Sequence, residues 1–338
     1  VNLVIGSTGF IGKHVAIRLL QKEDEVMVWY PALGLGELVQ KVKQANTVYH
    51  CAGATRDTFP SAFEQDLATT RAVIQNLKPT AKVVYASSES AGADSHYGST
   101  KQQTEIELAA WARRTPQGQV FAPRLPNVFG KWAKPHHNSI VATWCSQIVK
   151  GEPTTPLTNG DVDKTWAHID PVVDCLVDQQ ALRTVSLSPA EVLDLLIEGW
   201  NDPFVVTGSL WASTVWSYAQ PKASTEVTHE DDRGLFQEFS KATGQVNWIT
   251  IKPNTTRGNH FHHNRIEAFV LYGRGLSLQA THVRNPVLQC NFRADSTNPM
   301  TIVVPPGWRH ELKNNGTKTR MVLLKTNDIF DPQNPDTL

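Results

Sequence analysis

"VIGSTGFIGKHV", residues 4–15, decides how the first half of the chain folds. An apolar run gives way to glycines spaced Gly-x-x-Gly-x-x-Gly, and a helical pattern starts within that turn. Gly6, Gly9 and Gly12 let the backbone approach a pyrophosphate, whose charge then rests on the free N–H groups of the helix N-terminus. Phe10 and Ile11 sit in the same turn and join the expected cofactor contacts. Working outward, "EVMVWY" (25–30), "NTVYHCAG" (46–53), "KVVYASS" (82–88) and "GQVFAPRL" (118–125) read as buried strands. Between them "GKHVAIRLLQK", "FEQDLATTRAVIQNL" and "YGSTKQQTEIELAAWARR" carry helical periodicity. That alternation predicts an α/β fold, a doubly wound parallel sheet with helices on both faces.

The pattern changes after about Val246. "VNWITIKP", "EAFVLYGRG", "LSLQATHV", "TIVVPPG" and "RMVLLKT" are short runs broken by Gly, Pro and Asn, which predict a small all-β barrel or sandwich. "SLSPAEVLDLLIEGW" (186–200) reads as a late helix capped by Ser188, with Pro189 in its first turn. "YAQPKASTEVTHEDD" (218–232) reads as a linker, so the expected domains are 1–221 and 222–338.

Lys plus Arg and Asp plus Glu both number 32, with no basic run, which argues against a nucleic-acid or membrane-surface protein. No stretch approaches the roughly 20 apolar residues of a membrane span. Cys51, Cys145, Cys175 and Cys290 form no C-x-x-C pair, so neither a disulfide framework nor a cysteine zinc knot is expected. The opening "VNLVIG" reads directly as a strand, and a cytoplasmic protein with reduced thiols is expected.

"YGSTK" places Tyr97 and Lys101 four residues apart on one helix face. An ammonium beside a phenol lowers its pKa, which suits it to give or take a proton near neutral pH. With the glycine turn, this pair resembles the short-chain dehydrogenase/reductase superfamily, whose sheet is of the Rossmann type. The resemblance implies a third catalytic group just after the preceding strand. "YASSES" offers Ser88, with Ser87 as second choice. "VYHCAGATR" resembles the superfamily's strand-four signature, which implies that Ala52 and Gly53 run past the cofactor. "RLPNVFGKW" resembles the R-x-x-N-x-x-G stretch of the extended branch and implies a sugar or phosphate contact for Asn127. "VMVWYPALG" ends the second strand without an acid for a ribose hydroxyl, so NADPH is the expected cofactor. Asp66 stands where relatives often carry Asn. Glu89 and Ser90 stand where dehydratases of this branch carry two carboxylates, which disfavours dehydration.

"GNHFHHNRIE" (258–267) puts three histidines and a glutamate close together. Strand alternation places His260 and His262 on one face, and Glu267 joins them only if "NRI" turns the chain. Two imidazoles and a carboxylate suit Zn²⁺ or another divalent metal, and "PPGWRHELKN" offers His310 as a fourth ligand. H-x-H-x4-E followed by P-x-G-x2-H-x3-N resembles the cupin, a jelly-roll barrel, although Asn254 replaces a usual Gly and Gly273 is one residue off. "EDDRGLFQEF" and "TTRGNHFH" resemble nucleotide-sugar 3,5-epimerases, which share the barrel. That resemblance implies substrate contacts for Arg233, Phe236, Glu238 and Arg257, and a catalytic base at His260. His260 thus has two assignments, ligand or base.

One substrate class joins the halves. A sugar ketone at C4 acidifies C3–H, so a base can invert C3 and a hydride at C4 can trap the result. Over its length the chain resembles the bifunctional capsular-polysaccharide enzymes of UDP-N-acetyl-L-fucosamine synthesis, most specifically in "RLPNVFGKWAKPHHNSIVATW", "DDRGLFQEF", "KPNTTRGNHFHH" and "IFDPQNPDT". The resemblance implies C3 epimerisation of a UDP-4-keto-6-deoxy-HexNAc in a zinc cupin. NADPH reduction at C4 follows, giving UDP-2-acetamido-2,6-dideoxy-L-talose, in a homo-oligomer joined through the cupin. Two other readings are a nucleotide-sugar 4-ketoreductase whose cupin serves only dimerisation, and a non-catalytic NADP(H)- or sugar-binding sensor. Ser88, Tyr97 and Lys101 argue against the sensor, which needs no proton relay.

Overall fold

The computed structural model describes residues 1–54, 60–155, 160–201, 210–225, 229–231, 234–236, 246–294, 299–328, 333 and 336–337, without the side chains at 60, 222–225, 229–231, 234–236 and 248. In chain order the first elements are β1 (Asn2–Ile5), α1 (Phe10–Gln21), β2 (Val26–Trp29), α2 (Gly34–Gln44), β3 (Thr47–His50), α3 (Pro60–Asn76) and β4 (Lys82–Tyr85). Then come β5 (Ser87–Ser88), α4 (His96–Arg114), β6 (Gln119–Phe121), β7 (Arg124–Leu125), β8 (Asn127–Phe129), α5 (Ile140–Lys150), β9 (Lys164–His168), α6 (Ile169–Asp178) and β10 (Val185–Leu187). By packing the chain divides into two units, the first being Val1–Phe129, His136–Ser139 and Val162–Ser188.

The first unit is built on a parallel sheet of order β2-β1-β3-β4-β6. Its alternation separates two cores. Val4 faces one way, with Val15 and Leu19 of α1 and Val172 and Leu176 of α6. Leu3 and Ile5 face the other, with Leu38 and Val42 of α2 and Val73 of α3. Both faces of β1 are thus dry, as a parallel sheet between helix layers requires. Burying one such aliphatic side chain contributes roughly 1.5–3 kcal/mol. The "VYHCAG" strand, similar to a fourth strand elsewhere, is the third here, because no further strand lies between β2 and β3.

The second unit comprises Gly130–Pro135, Ile140–Asp161 and Pro189–Leu338. It adds α7 (Pro189–Asn201), α8 (Leu210–Trp216), β11 (Lys222–Thr225), β12 (His229–Asp231), β13 (Gly234–Phe236), β14 (Val246–Ile251) and β15 (Thr255–His260). Its last strands are β16 (Glu267–Leu271), β17 (Leu276–His282), β18 (Gln289–Ala294), β19 (Met300–Val304), β20 (Trp308–Asn314) and β21 (Arg320–Thr326). Two antiparallel sheets, β11-β19-β16-β21-β14 and β15-β20-β17-β18, enclose a core of Phe269, Leu278, Ile302, Trp308, Leu312 and Val322 among others. The stretch expected to be a linker instead supplies β11, the edge strand paired with β19. Asn254 has φ 54°, the left-handed conformation that a glycine fills most easily and asparagine tolerates. The helices join the sheets through hydrogen bonds from Trp308 Nε1 to Ala219 O (3.2 Å) and from Ser213 Oγ to Asn264 O.

Candidate functional site

In the first unit the glycine turn approaches the end of β3. Gly6 has φ 83°, and a Cβ there would lie 2.7 Å from Ala52 N. A Cβ at Gly12 would lie 2.2 Å from Gly6 O, so both positions require glycine. Gly9 is the N-cap of helix α1, which has no side-chain cap hydrogen bond and no acid in its first turn. The positive end of its dipole is therefore left to an outside anion, as a dinucleotide cofactor would supply. Phe10 and Ile11 rest partly buried on the core beneath. The end of β2 carries Trp29 and Tyr30 and no acid, with Trp29 Nε1 donating to Gly34 O.

Helix α4 brings Tyr97 and Lys101 against the same loop. A small cavity is lined by Ala52, Gly53, Asp66, Tyr85, Tyr97 and Lys101, among others. Lys101 is buried, donates to Ala86 O at 2.8 Å, and has Nζ 4.7 Å from the Tyr85 ring centroid and 5.8 Å from that of Tyr97. Burial lowers its pKa to about 8, with Asp66 first among the groups pulling it back up, ahead of Cys51 and Glu105. Of the two serines, Ser88 hydrogen-bonds the Tyr97 phenol, while Ser87 donates to Glu105, which Arg124 also grips. The expected lowering of the Tyr97 pKa is not found: burial raises it, and the Ser88 bond offsets only part. A raised pKa keeps the phenol protonated, which is the form that donates. Asp66, on α3, accepts the Ala54 N–H and so ties the helix to the loop after β3.

In the second unit a bulge shapes the histidine cluster. Gly258 and Asn259 have φ 93° and 66°, and the β15–β20 register shifts there, leaving His260 opposite His310. His262 lies beyond the end of β15, and Glu267 enters from β16 after the chain bends at 263–264. This bend resolves the parity of Glu267. The ligating atoms of His260, His262, Glu267 and His310 all lie within 4.8 Å of one another. Glu267 Oε2 is 2.9 Å from His310 Nε2 and 3.3 Å from His262 Nε2.

Those contacts test whether a metal fits. The Nδ1 atoms of His262 and His310 face the carbonyls of Asp336 (2.7 Å) and Trp308 (3.2 Å), which only an N–H satisfies. In the neutral ring each Nε2 then carries the lone pair a cation takes, and a proton in the cation's place would sit between Nε2 and the buried carboxylate. Burial alone would raise the Glu267 pKa, but the two imidazoles hold it well below the usual carboxylate range. Burial, followed by His310 and His262, lowers His260 to about 4, so it is neutral near pH 7. Convergent lone pairs and one negative charge fit a divalent cation.

Other expected residues lie apart. Asn127 Nδ2 donates to Thr165 O at 3.0 Å, leaving its amide oxygen for other contacts. Arg257 is exposed on β15 and donates to Thr250 O. Arg233 and Glu238, and the side chain of Phe236, lie outside the described residues. The reading from sequence missed Asp336, whose motif "IFDPQNPDT" was visible but carried no assigned role.

Residues 2–184 match the NAD dependent epimerase/dehydratase family, and residues 229–338 match the polysaccharide biosynthesis C-terminal domain. The chain is 30% identical to UDP-2-acetamido-2,6-beta-L-arabino-hexul-4-ose reductase of Pseudomonas aeruginosa, covering 99% of this chain and 97% of that one. Among solved structures, the capsular polysaccharide assembling protein CapF of Staphylococcus aureus is similar in fold over 100% of this chain and 98% of its own, with TM-score 0.60 and 24% identity. UDP-glucose 4-epimerase of Thermotoga maritima is similar in fold over 59% of this chain and 82% of its own, with TM-score 0.50 and 18% identity.

Proposed function

The chain belongs to the NAD dependent epimerase/dehydratase family and continues into a polysaccharide biosynthesis C-terminal domain, and from that premise we propose a bifunctional nucleotide-sugar enzyme of capsule or O-antigen synthesis. Residues 222–338 epimerise C3 of a UDP-4-keto-6-deoxy-HexNAc, and residues 1–221 reduce C4. The observation that carries this reading is the pairing, in one chain, of a Ser88–Tyr97–Lys101 relay with a buried three-histidine, one-glutamate cluster. The full-length similarity to UDP-2-acetamido-2,6-beta-L-arabino-hexul-4-ose reductase supports a UDP-sugar as the substrate.

NADPH, when bound, would supply the hydride for the reductase step. The Gly6–Gly12 turn and the start of α1 would hold its pyrophosphate, with Phe10, Ile11, Ala52 and Gly53 alongside. Tyr97 gives its phenolic proton to O4 as C4 becomes an alcohol. Ser88 holds the phenol, and the buried Lys101 cation compensates the phenolate that remains. Asn127, Arg233, Phe236, Glu238 and Arg257 are assigned to the nucleotide and sugar. NADPH is preferred over NADH because β2 ends without an acid.

For epimerisation, His260, His262, Glu267 and His310 would hold Zn²⁺ or a similar ion, which would supply positive charge beside the substrate's carbonyl oxygen. A base removes the C3 proton and a proton returns to the opposite face. His260 is the least buried of the four, which favours a second reading in which it is that base. The test is NADPH oxidation by the whole chain with a UDP-4-keto-6-deoxy-HexNAc, followed by determination of the product's C3 configuration. Reduction with C3 retained would leave a plain 4-ketoreductase. No reduction would end the proposal.

A further inference from the structure

The stretch around Asp336 is separated by about seventy residues from the cluster it touches, and every polar group of Asp336 with a described partner serves that cluster's turn. Its carboxylate accepts three consecutive main-chain N–H groups: His263 at 2.9 Å on Oδ1, and Asn264 and Arg265, each at 2.8 Å, on Oδ2. Its main-chain carbonyl accepts the Nδ1–H of His262 at 2.7 Å. The next residue, Thr337, forms an isolated β-bridge with His262.

His262 needs this help more than His310 does. His310 lies in the middle of β20, and the carbonyl facing its Nδ1 belongs to Trp308 of the same strand. His262 follows the end of β15 and precedes β16, so no strand ladder sets its ring. We propose that Asp336 is a positioning residue for the cluster: its side chain fixes the 263–265 turn and its carbonyl fixes the His262 ring, with Nε2 turned to Glu267. The proposal rests on the metal reading above for its consequence, ion affinity, but not for its geometry. A carbonyl at Nδ1 selects the Nδ1–H tautomer and leaves Nε2 as the donor atom.

Substitution separates the two contributions. Asp336→Ala removes all three acceptor contacts, so the carbonyl loses its anchor. Asp336→Asn keeps one amide oxygen for Asn264 and Arg265 but sets an N–H₂ against the His263 N–H, so it should fall between. The full-length protein and both variants are compared by ¹⁵N shifts of the histidine rings without metal, by Zn²⁺ affinity in chelator competition, and by the visible spectrum with Co²⁺. In the parent, Nδ1 of His262 should carry a proton hydrogen-bonded to the Asp336 carbonyl, whether or not Nε2 is also protonated toward Glu267, and in Asp336→Ala that Nδ1–H signature should be lost. Zn²⁺ affinity should drop by about 10–100-fold, as for other residues that orient a ligand histidine, with an altered Co²⁺ spectrum. An unchanged Nδ1–H signature and Co²⁺ spectrum in the variants would overturn the proposal, whatever happens to thermal stability. If Asp336→Ala does not fold, Asp336→Asn decides by the same measurements. A parent protein that takes up neither ion would overturn the metal reading alone, and the ring shifts would still decide what Asp336 does.

Discussion

Lys101 shows how one buried charge sets a pH limit. Burial brings its pKa to about 8, below the ordinary 10.5, so the cation is present below that pH and is lost above it. Reduction should therefore lose rate on the alkaline side of about pH 8 as Tyr97 loses its neighbouring charge. Asp66→Asn keeps an acceptor for the Ala54 N–H but removes the carboxylate that most strongly raises the Lys101 pKa. The alkaline limb of the NADPH-oxidation profile should move to lower pH in that variant, and an unmoved limb would show that Asp66 serves only the loop. Tyr97→Phe should lower kcat by about 10²–10⁴-fold, the scale of general acid catalysis, while a direct titration shows NADPH binding largely kept. Sequence spacing made this site legible because Tyr97 and Lys101 share one helix. It ranked Ser88 ahead of Ser87 but gave no sign of Glu105 and Arg124, which engage Ser87 in the fold. Asp336 was illegible for a related reason: its partners are 71–74 residues away in sequence.

At the scale of elements, the glycine turn makes a graded prediction. A Cβ at Gly9 would meet Gly6 O at 3.1 Å, whereas at Gly12 it would meet the same atom at 2.2 Å. Gly12→Ala should cost about 1–3 kcal/mol, the range for overpacking, and weaken NADPH binding as the turn shifts. Gly9→Ala should cost clearly less. Thermal melts and cofactor titrations of the two variants check the order, and equal losses would mean that the turn is looser than its geometry indicates. The strands β1 to β4 were legible because each is a continuous apolar run. Helix α2 was not, because "GLGELVQKVKQ" opens on helix-weakening glycines and presents only Leu38 and Val42 as fully buried residues. Nor was β11, whose sequence "KAST" lacks any apolar alternation. An edge strand with one partner does not require it.

At the scale of the whole chain, the two packing units interleave in sequence, with 130–135 and 140–161 joining the second unit before 162–188 returns to the first. No linear change of composition could reveal that exchange. What was legible was which residues cluster in each unit, and the proposed order of steps makes the two reactions separable in the intact protein. A 4-keto sugar incubated in D₂O without NADPH should gain deuterium at C3, because enolisation next to a ketone needs a base and charge stabilisation but no hydride. Tyr97→Phe should leave this exchange intact while reduction falls by about 10²–10⁴-fold, since its phenol belongs to the C4 step. His310→Ala should do the reverse of the first variant's result: exchange and bound Zn²⁺ should fall together, because His310 supplies one of the four converging ligand atoms. If His310→Ala loses the ion and keeps exchange, the metal is structural and His260 acts as base unaided. Metal loss would then appear as a lower melting temperature instead, since ion binding also contributes to folding. If C3 remains protonated in the parent protein over the time in which NADPH-dependent reduction goes to completion, the barrel does not epimerise this substrate, and its histidine cluster serves another purpose.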